Sequence, residues 1–214
     1  MTANNQPMNK INKTILYGLL LCLLGAAVKG YGQEVDIYVS KEGSDSSGNG
    51  SESKPFASIQ KAIDSSKDGD TILVLPGTYK ENVMFDNLSR KSIVLVSKYF
   101  TTKDDSYTKS TIIDGNLKGR PLYIRGAGKK IEIIGFTIQN GSINYDNYAE
   151  PNGYSGGGGG IRVETSNETS VLLSNLIVRN NIVEGKITAY TYGGGIYIRG
   201  SNCTIEDCDI SNNK

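Results

Sequence analysis

Apolar and polar positions recur along this chain in one fixed figure. Ile131-x-Ile133-x-x-Phe136-x-Ile138-x-Asn140 is followed by Val171-x-Leu173-x-x-Leu176-x-Val178-x-Asn180, and then by Cys203-x-Ile205-x-x-Cys208-x-Ile210-x-Asn212. The copies align without a gap, 40 and then 32 residues apart. Each is a pair of two-residue alternations separated by an odd step. Alternation places one set of side chains on one face of a strand, and the odd step lets the chain bend while its apolar side stays inward. A stretch this short cannot bury that face alone, but stacked copies can.

A further strand precedes each copy, carrying Leu122/Ile124, Ile161/Val163 and Ile196/Ile198. One repeat is therefore strand, turn, strand, bend, strand, Asn. Three parallel strands per winding predict an all-β solenoid, a right-handed parallel β-helix, with windings about 4.8 Å apart. Equivalent residues then form columns, and Asn140, Asn180 and Asn212 are expected to form an inward amide ladder at one corner. Upstream, Asp36–Ser40 reads as a strand, Lys41–Lys54 as a polar loop, and Ser58–Ser66 as a short helix with Ile59, Ala62 and Ile63 on one face. Thr71–Leu75 reads as a buried strand stopped by Pro76-Gly77, with Thr78–Phe85 and Ser92–Ser97 as further strands. The helix is expected to cap the open end of the first winding, where apolar side chains and strand edges would otherwise be bare.

Composition adds a compartment. Lys10 and Lys13 precede the apolar run Ile15–Val28, and Gly30-Tyr31-Gly32 is a small-x-small cleavage site, so residues 1–32 read as a secretory signal. The run is shorter than the roughly 20 residues of a membrane span. Removing Lys10, Lys13 and Lys29 leaves 20 of the 23 basic groups against 22 acidic ones, a net charge of −2. The expected product is secreted or on the cell surface, monomeric, and has no affinity for nucleic acid or membrane. The chain has no His, which excludes His-based acid/base chemistry and His metal sites. Cys203 and Cys208 occupy different columns, roughly 16 Å apart along an extended segment. They read as packed thiols rather than a disulfide. Residues 33–214 form the expected domain, with a cap at 36–77 and windings at 78–214. Because no cap follows Asn213-Lys214, the sequence is expected to be the N-terminal part of a longer protein.

Asp36-Ile-Tyr-Val-Ser40, Lys54-Pro-Phe-Ala-Ser-Ile-Gln-Lys-Ala-Ile63, Asp68-Gly-Asp-Thr-Ile72 and Pro76-Gly-Thr-Tyr-Lys-Glu81 resemble the N-terminal cap of the pectin-lyase-like β-helix superfamily. Asp114-Gly-Asn116 and Ile134-Gly-Phe-Thr-Ile-Gln-Asn-Gly141 resemble its windings. The resemblance implies a fold and, through secreted bacterial members, a polysaccharide or cell-surface glycan as partner. Enzymes and non-enzymes share the fold, so it does not choose an activity.

The candidate site is the outward side of the strand that opens each winding. Tyr123, Arg125, Arg162, Glu164, Tyr197 and Arg199 lie there; arginines can grip carboxylates and tyrosine faces suit sugar rings. Insertions at Ser142–Ser155, with Tyr145, Tyr148 and Tyr154, and at Ile182–Tyr192 enter the same strand and are expected to form a rim. Asp146 and Glu150 are the candidate Ca²⁺ ligands. Asp114 reads as a turn-former. Three functions remain open at this level. A lyase acting on uronates would use an Arg base with Ca²⁺, a binding or adhesive protein would use the same face only to hold a glycan, and a hydrolase would need a carboxylate pair that the sequence does not display.

Overall fold

The computed structural model describes residues 34–86, 91–126, 129–144, 157–185, 193–200 and 202–214. Short strands dominate, and every strand pair is parallel. Three sheets are visited in rotation. The first holds β1 (Ile37–Val39), β2 (Thr71–Val74), β5 (Ile93–Ser97), β8 (Lys130–Ile134), β12 (Ser170–Ser174) and β16 (Asn202–Glu206). The second holds β3 (Gly77–Lys80), β6 (Thr111–Asp114), β9 (Thr137–Gln139), β13 (Ile177–Arg179) and β17 (Asp209–Ser211). The third holds β4 (Val83–Phe85), β7 (Leu122–Arg125), β11 (Ile161–Glu164) and β15 (Ile196–Arg199). This rotation fits a parallel β-helix.

The register keeps the sequence offsets. Ile131 pairs with Val171 and Val171 with Cys203; Ile138 pairs with Val178 and Val178 with Ile210. Phe136 and Leu176 are buried in one interior, and Cys203 and Cys208 pack against it as free, half-buried thiols. Each interior Ile or Leu contributes roughly 1.5–3 kcal/mol relative to exposure. The interior opens toward the last winding, where Ile205 and Ile210 are 40% and 48% exposed.

The odd step of the pattern is a left-handed corner. Gly135, Asn175 and Asp207 hold φ of 81°, 54° and 51° at equivalent positions between the first and second sheets. Asn140, Asn180 and Asn212 hold φ of 55°, 55° and 54° at the next corner. Gly, Asn and Asp are the residues that enter this region at least cost.

The second corner corrects the predicted ladder. Asn180 and Asn212 face solvent. Their successors point inward, because the left-handed residue turns the chain by one position. Asn181 is fully buried; its Oδ1 accepts from the Gly141 N–H at 2.8 Å, and its Nδ2 donates to Ile138 O at 3.2 Å and to Asn213 Oδ1 at 3.0 Å. Asn213 Nδ2 in turn donates to Val178 O at 2.9 Å. Gly141 starts this column, where a Cβ would collide with the Gly159 carbonyl.

Two other expectations are revised, and two helices are added that the sequence did not predict. Thr78–Phe85 breaks into β3 and β4, which belong to different sheets, and Glu81 between them caps a helix. Ser142–Asn144 forms a strand, β10, paired with β14 (Ile182–Glu184), so both insertions begin as a small fourth sheet. Two short helices, α2 (Tyr99–Thr102) and α3 (Asp105–Ser110), interrupt the second winding. Tyr99 and Phe100 cover Leu73, Val94, Val96 and Ile134 on the outer side of the first sheet.

The first helix, α1 (Ile59–Ser65), packs on β1, β2 and β4 with Ile59, Ala62 and Ile63 buried. Its N-terminus is held from three directions. Ser58 Oγ accepts from Lys61 N, Asp45 accepts from the N–H groups of Ala57 and Ser58, and Glu81 accepts from those of Ile59 and Gln60. The Gln60 side chain exchanges two hydrogen bonds with the Met84 backbone, so it pairs with the outer edge of β4 as a neighbouring strand would.

Candidate functional site

The third sheet brings five of the predicted site residues together. Across β4, β7, β11 and β15, Met84, Tyr123, Arg162 and Tyr197 form one column. Arg125, Glu164 and Arg199 form the next, with Asp86 directly after β4 at its head. Period-two alternation puts both columns on the outer side, because Leu122, Ile124, Ile161 and Val163 fill the interior.

The side chains of these columns hold one another. The Arg162 guanidinium lies between the Tyr123 and Tyr197 rings, 5.6 and 5.5 Å from their centroids. Such contacts contribute roughly 0.5–2 kcal/mol each. Arg162 Nη2 donates to Glu164 Oε1 at 2.7 Å, and Tyr123 Oη donates to Glu164 Oε2 at 2.6 Å. Burial pushes the Glu164 carboxyl up, but these bonds and the charges of Arg162 and Arg199 outweigh it and hold the group below its ordinary value. Arg125 grips Asp86 through Nη2 at 2.6 Å and Nε at 3.3 Å.

An open cationic face is therefore not what these residues make. Tyr123 is 7% exposed and Arg162 2%. A column of alternating charge satisfies itself across windings, which sequence alternation alone does not reveal. Tyr197 is half-buried, and only Arg199 of the three predicted arginines is exposed. Tyr145 and Tyr148 lie outside the described residues, as do Asp146, Glu150, Tyr154, Tyr190 and Tyr192. Among the described residues, no three His, Cys, Asp or Glu side chains are placed to hold a metal ion.

Beside Tyr123 the sheet opens into a cavity of about 170 Å³, lined by Asn82, Val83, Met84, Lys118, Gly119, Arg120 and Tyr123. Among the described residues its wall carries two cations and no carboxylate. The Arg120 guanidinium stacks 5.2 Å from the Tyr123 centroid and is anchored by Nε to Gly158 O at 2.5 Å. Lys118 is exposed. Asn82 Nδ2 donates to Arg120 O at 2.9 Å, which closes the floor. The sequence signal was Lys118-Gly119-Arg120 just ahead of an outward Tyr, two cations flanking a Gly; it reads as an ordinary turn until Asn82 is brought against Gly119 from the previous winding.

Asp114 is the turn-former expected of it. It accepts from Asn116 N at 2.7 Å, Gln139 Nε2 at 2.9 Å and Asn140 Nδ2 at 2.8 Å. Burial raises its carboxyl, but those three donors prevail and hold it below the usual carboxylate range.

Residues 41–85 match the model of a family described as a protein of unknown function, DUF1565, which is associated with parallel β-helix proteins. The match runs from the loop after β1 through α1 to β4. No curated protein matches the chain.

Proposed function

We propose that this chain is a secreted, right-handed β-helix solenoid of the pectin-lyase-like kind that holds an acidic extracellular polysaccharide without cleaving it. The observation that carries this is the cavity beside Tyr123, with Lys118 and Arg120 and no acid among the described residues of its wall. Its volume suits about one sugar residue. A uronate carboxylate would meet the exposed Lys118 there, with the buried Arg120 adding positive charge behind it, while the sugar's C–H face would lie against Met84, which is 40% exposed. Further residues of the polymer would run along the sheet toward Tyr197 and Arg199.

Cleavage is the weaker reading. β-Elimination needs a base able to reach the C–H bond beside the carboxylate. Arg125 is committed to Asp86, and Arg162 to Glu164 and two rings. Arg199 is the exposed one of the three, and Ca²⁺ would depend on Asp146 and Glu150. Removal of residues 1–32 as a signal and action as a monomer outside the cell belong to this reading.

The test uses purified protein and polygalacturonate as the probe. Retention on the immobilised polymer is expected, falling steeply as salt rises and several-fold in Lys118→Ala. Absorbance at the unsaturated-uronate band is expected to stay flat with or without Ca²⁺. A rising trace would overturn the non-catalytic reading. Absence of retention at low salt, or retention unchanged in Lys118→Ala, would overturn the site.

A further inference from the structure

One wall of the cavity beside Tyr123 is held in place by the capping helix. Asn82, Val83 and Met84 form that wall, facing Lys118, Gly119 and Arg120. Val83 and Met84 lie on β4, the last strand of the third sheet, which pairs with β7 along one edge. A strand that ends a sheet presents backbone N–H and C=O groups that the ladder does not reach. At Met84 the Gln60 side chain reaches both. Its Oε1 accepts from Met84 N at 2.8 Å, and its Nε2 donates to Met84 O at 3.1 Å. The same Nε2 donates to Asp64 Oδ1 at 2.9 Å, one helical turn further on, which fixes the amide against α1. Glu81, just ahead of Asn82, accepts from the Ile59 and Gln60 N–H groups, so the wall is tied to α1 at both ends.

We infer that Gln60 is a positioning residue for glycan binding in this cavity, acting through Met84; its role rests on the glycan reading above. The Met84 side chain points outward into the column that Tyr123 continues, and it lines the cavity. Where the Met84 backbone sits therefore sets the gap between the apolar wall and the Lys118–Arg120 wall. A primary amide suits the task, because it offers a donor and an acceptor in one plane, as a peptide does. An alkyl side chain at 60 would release both Met84 groups. The cap at Asp45 acts on Ala57 and Ser58 and not on Met84, so the stability of the helix and the geometry of the wall can be varied separately.

The experiment combines methyl-labelled methionine spectra with calorimetric titration of the whole chain by trigalacturonate at low salt. The methionines are Met1, Met8 and Met84, and Met84→Leu identifies the Met84 line. In the parent that line is expected to move as trigalacturonate saturates the site. Gln60→Leu should displace the line in the free protein and weaken trigalacturonate binding several-fold. Asp45→Ala, which loosens the same helix, should lower the melting temperature and leave both the line and the affinity unchanged. If the line or the affinity is unmoved in Gln60→Leu, or moves as far in Asp45→Ala, the role of Gln60 is overturned while the glycan reading stands. A parent that neither binds trigalacturonate nor shifts its Met84 line overturns the glycan reading, and the role of Gln60 with it.

Discussion

Asn180 and Asn181 are the same residue type in opposite environments. Asn180 occupies a left-handed corner in water, and Asn181 is buried and serves groups on three windings. Removing the buried amide strands Gly141 N–H, Ile138 C=O and part of Asn213. Asn181→Ala should therefore cost about 2–4 kcal/mol in urea unfolding, while Asn180→Gly stays within about 0.5 kcal/mol, because Gly enters the same region freely. Glu164 makes a pH prediction. Its folded pKa lies below its unfolded one, so its contribution is full above the unfolded value and is lost as pH falls through the folded value. Glu164→Gln should cost about 1 kcal/mol at neutral pH, and its stability should approach that of the parent only as pH falls through the lowered folded value of Glu164. A gap that widened in acid would contradict the pairing with Arg162 and Tyr123.

Among elements, α1 shows how a short helix is held. Seven residues are too few to persist alone, so the caps and the buried face decide. Asp45→Ala removes the acceptor for two N–H groups and the Ser58 hydroxyl, and should cost about 1 kcal/mol, seen as earlier protection loss over Ile59–Ser65 in hydrogen exchange. Glu81 works in the other direction with pH. Burial raises its carboxyl above the ordinary value despite the Ile59 and Gln60 N–H groups, so its linked stability is present below the unfolded pKa and lost as pH rises through the folded one. The helix was legible in sequence from Ser58 and the spacing of Ile59, Ala62 and Ile63. α2 and α3 were not, because four and six residues give no helical period. What fixes them is contact with the first sheet and with Thr137, far along the chain.

For the whole molecule, the repeat predicts a gradient. Ile138 and Ile210 occupy one column, yet Ile138 is fully buried and Ile210 is 48% exposed. Ile138→Ala should cost about 3–4 kcal/mol and Ile210→Ala less than about 1 kcal/mol, measured by chemical denaturation. Equal costs would mean the interior is continued over the last winding. Columns were legible because period two and a fixed odd step survive in each copy. The inward amide was displaced by one because a sequence shows two adjacent Asn residues and not which carries the positive φ. The site was half legible for a related reason. Alternation identified Tyr123, Arg125, Arg162 and Tyr197 as outward, but the pairs Arg125–Asp86 and Tyr123–Glu164 arise between windings, 39 and 41 residues apart. Lys118 and Arg120 become a cavity wall only when Asn82 is brought against them.

The Gly141 corner also bears on how the protein ages. Asn140-Gly141 is the kind of dipeptide in which a backbone nitrogen readily closes on the preceding side-chain amide and expels ammonia, leaving a cyclic imide that water opens to an aspartyl or isoaspartyl link. Here that nitrogen already donates to Asn181, and the Asn140 amide already donates to Asp114. Both must let go before the ring can form, so the column that stabilises the corner also protects it from slow chemical decay.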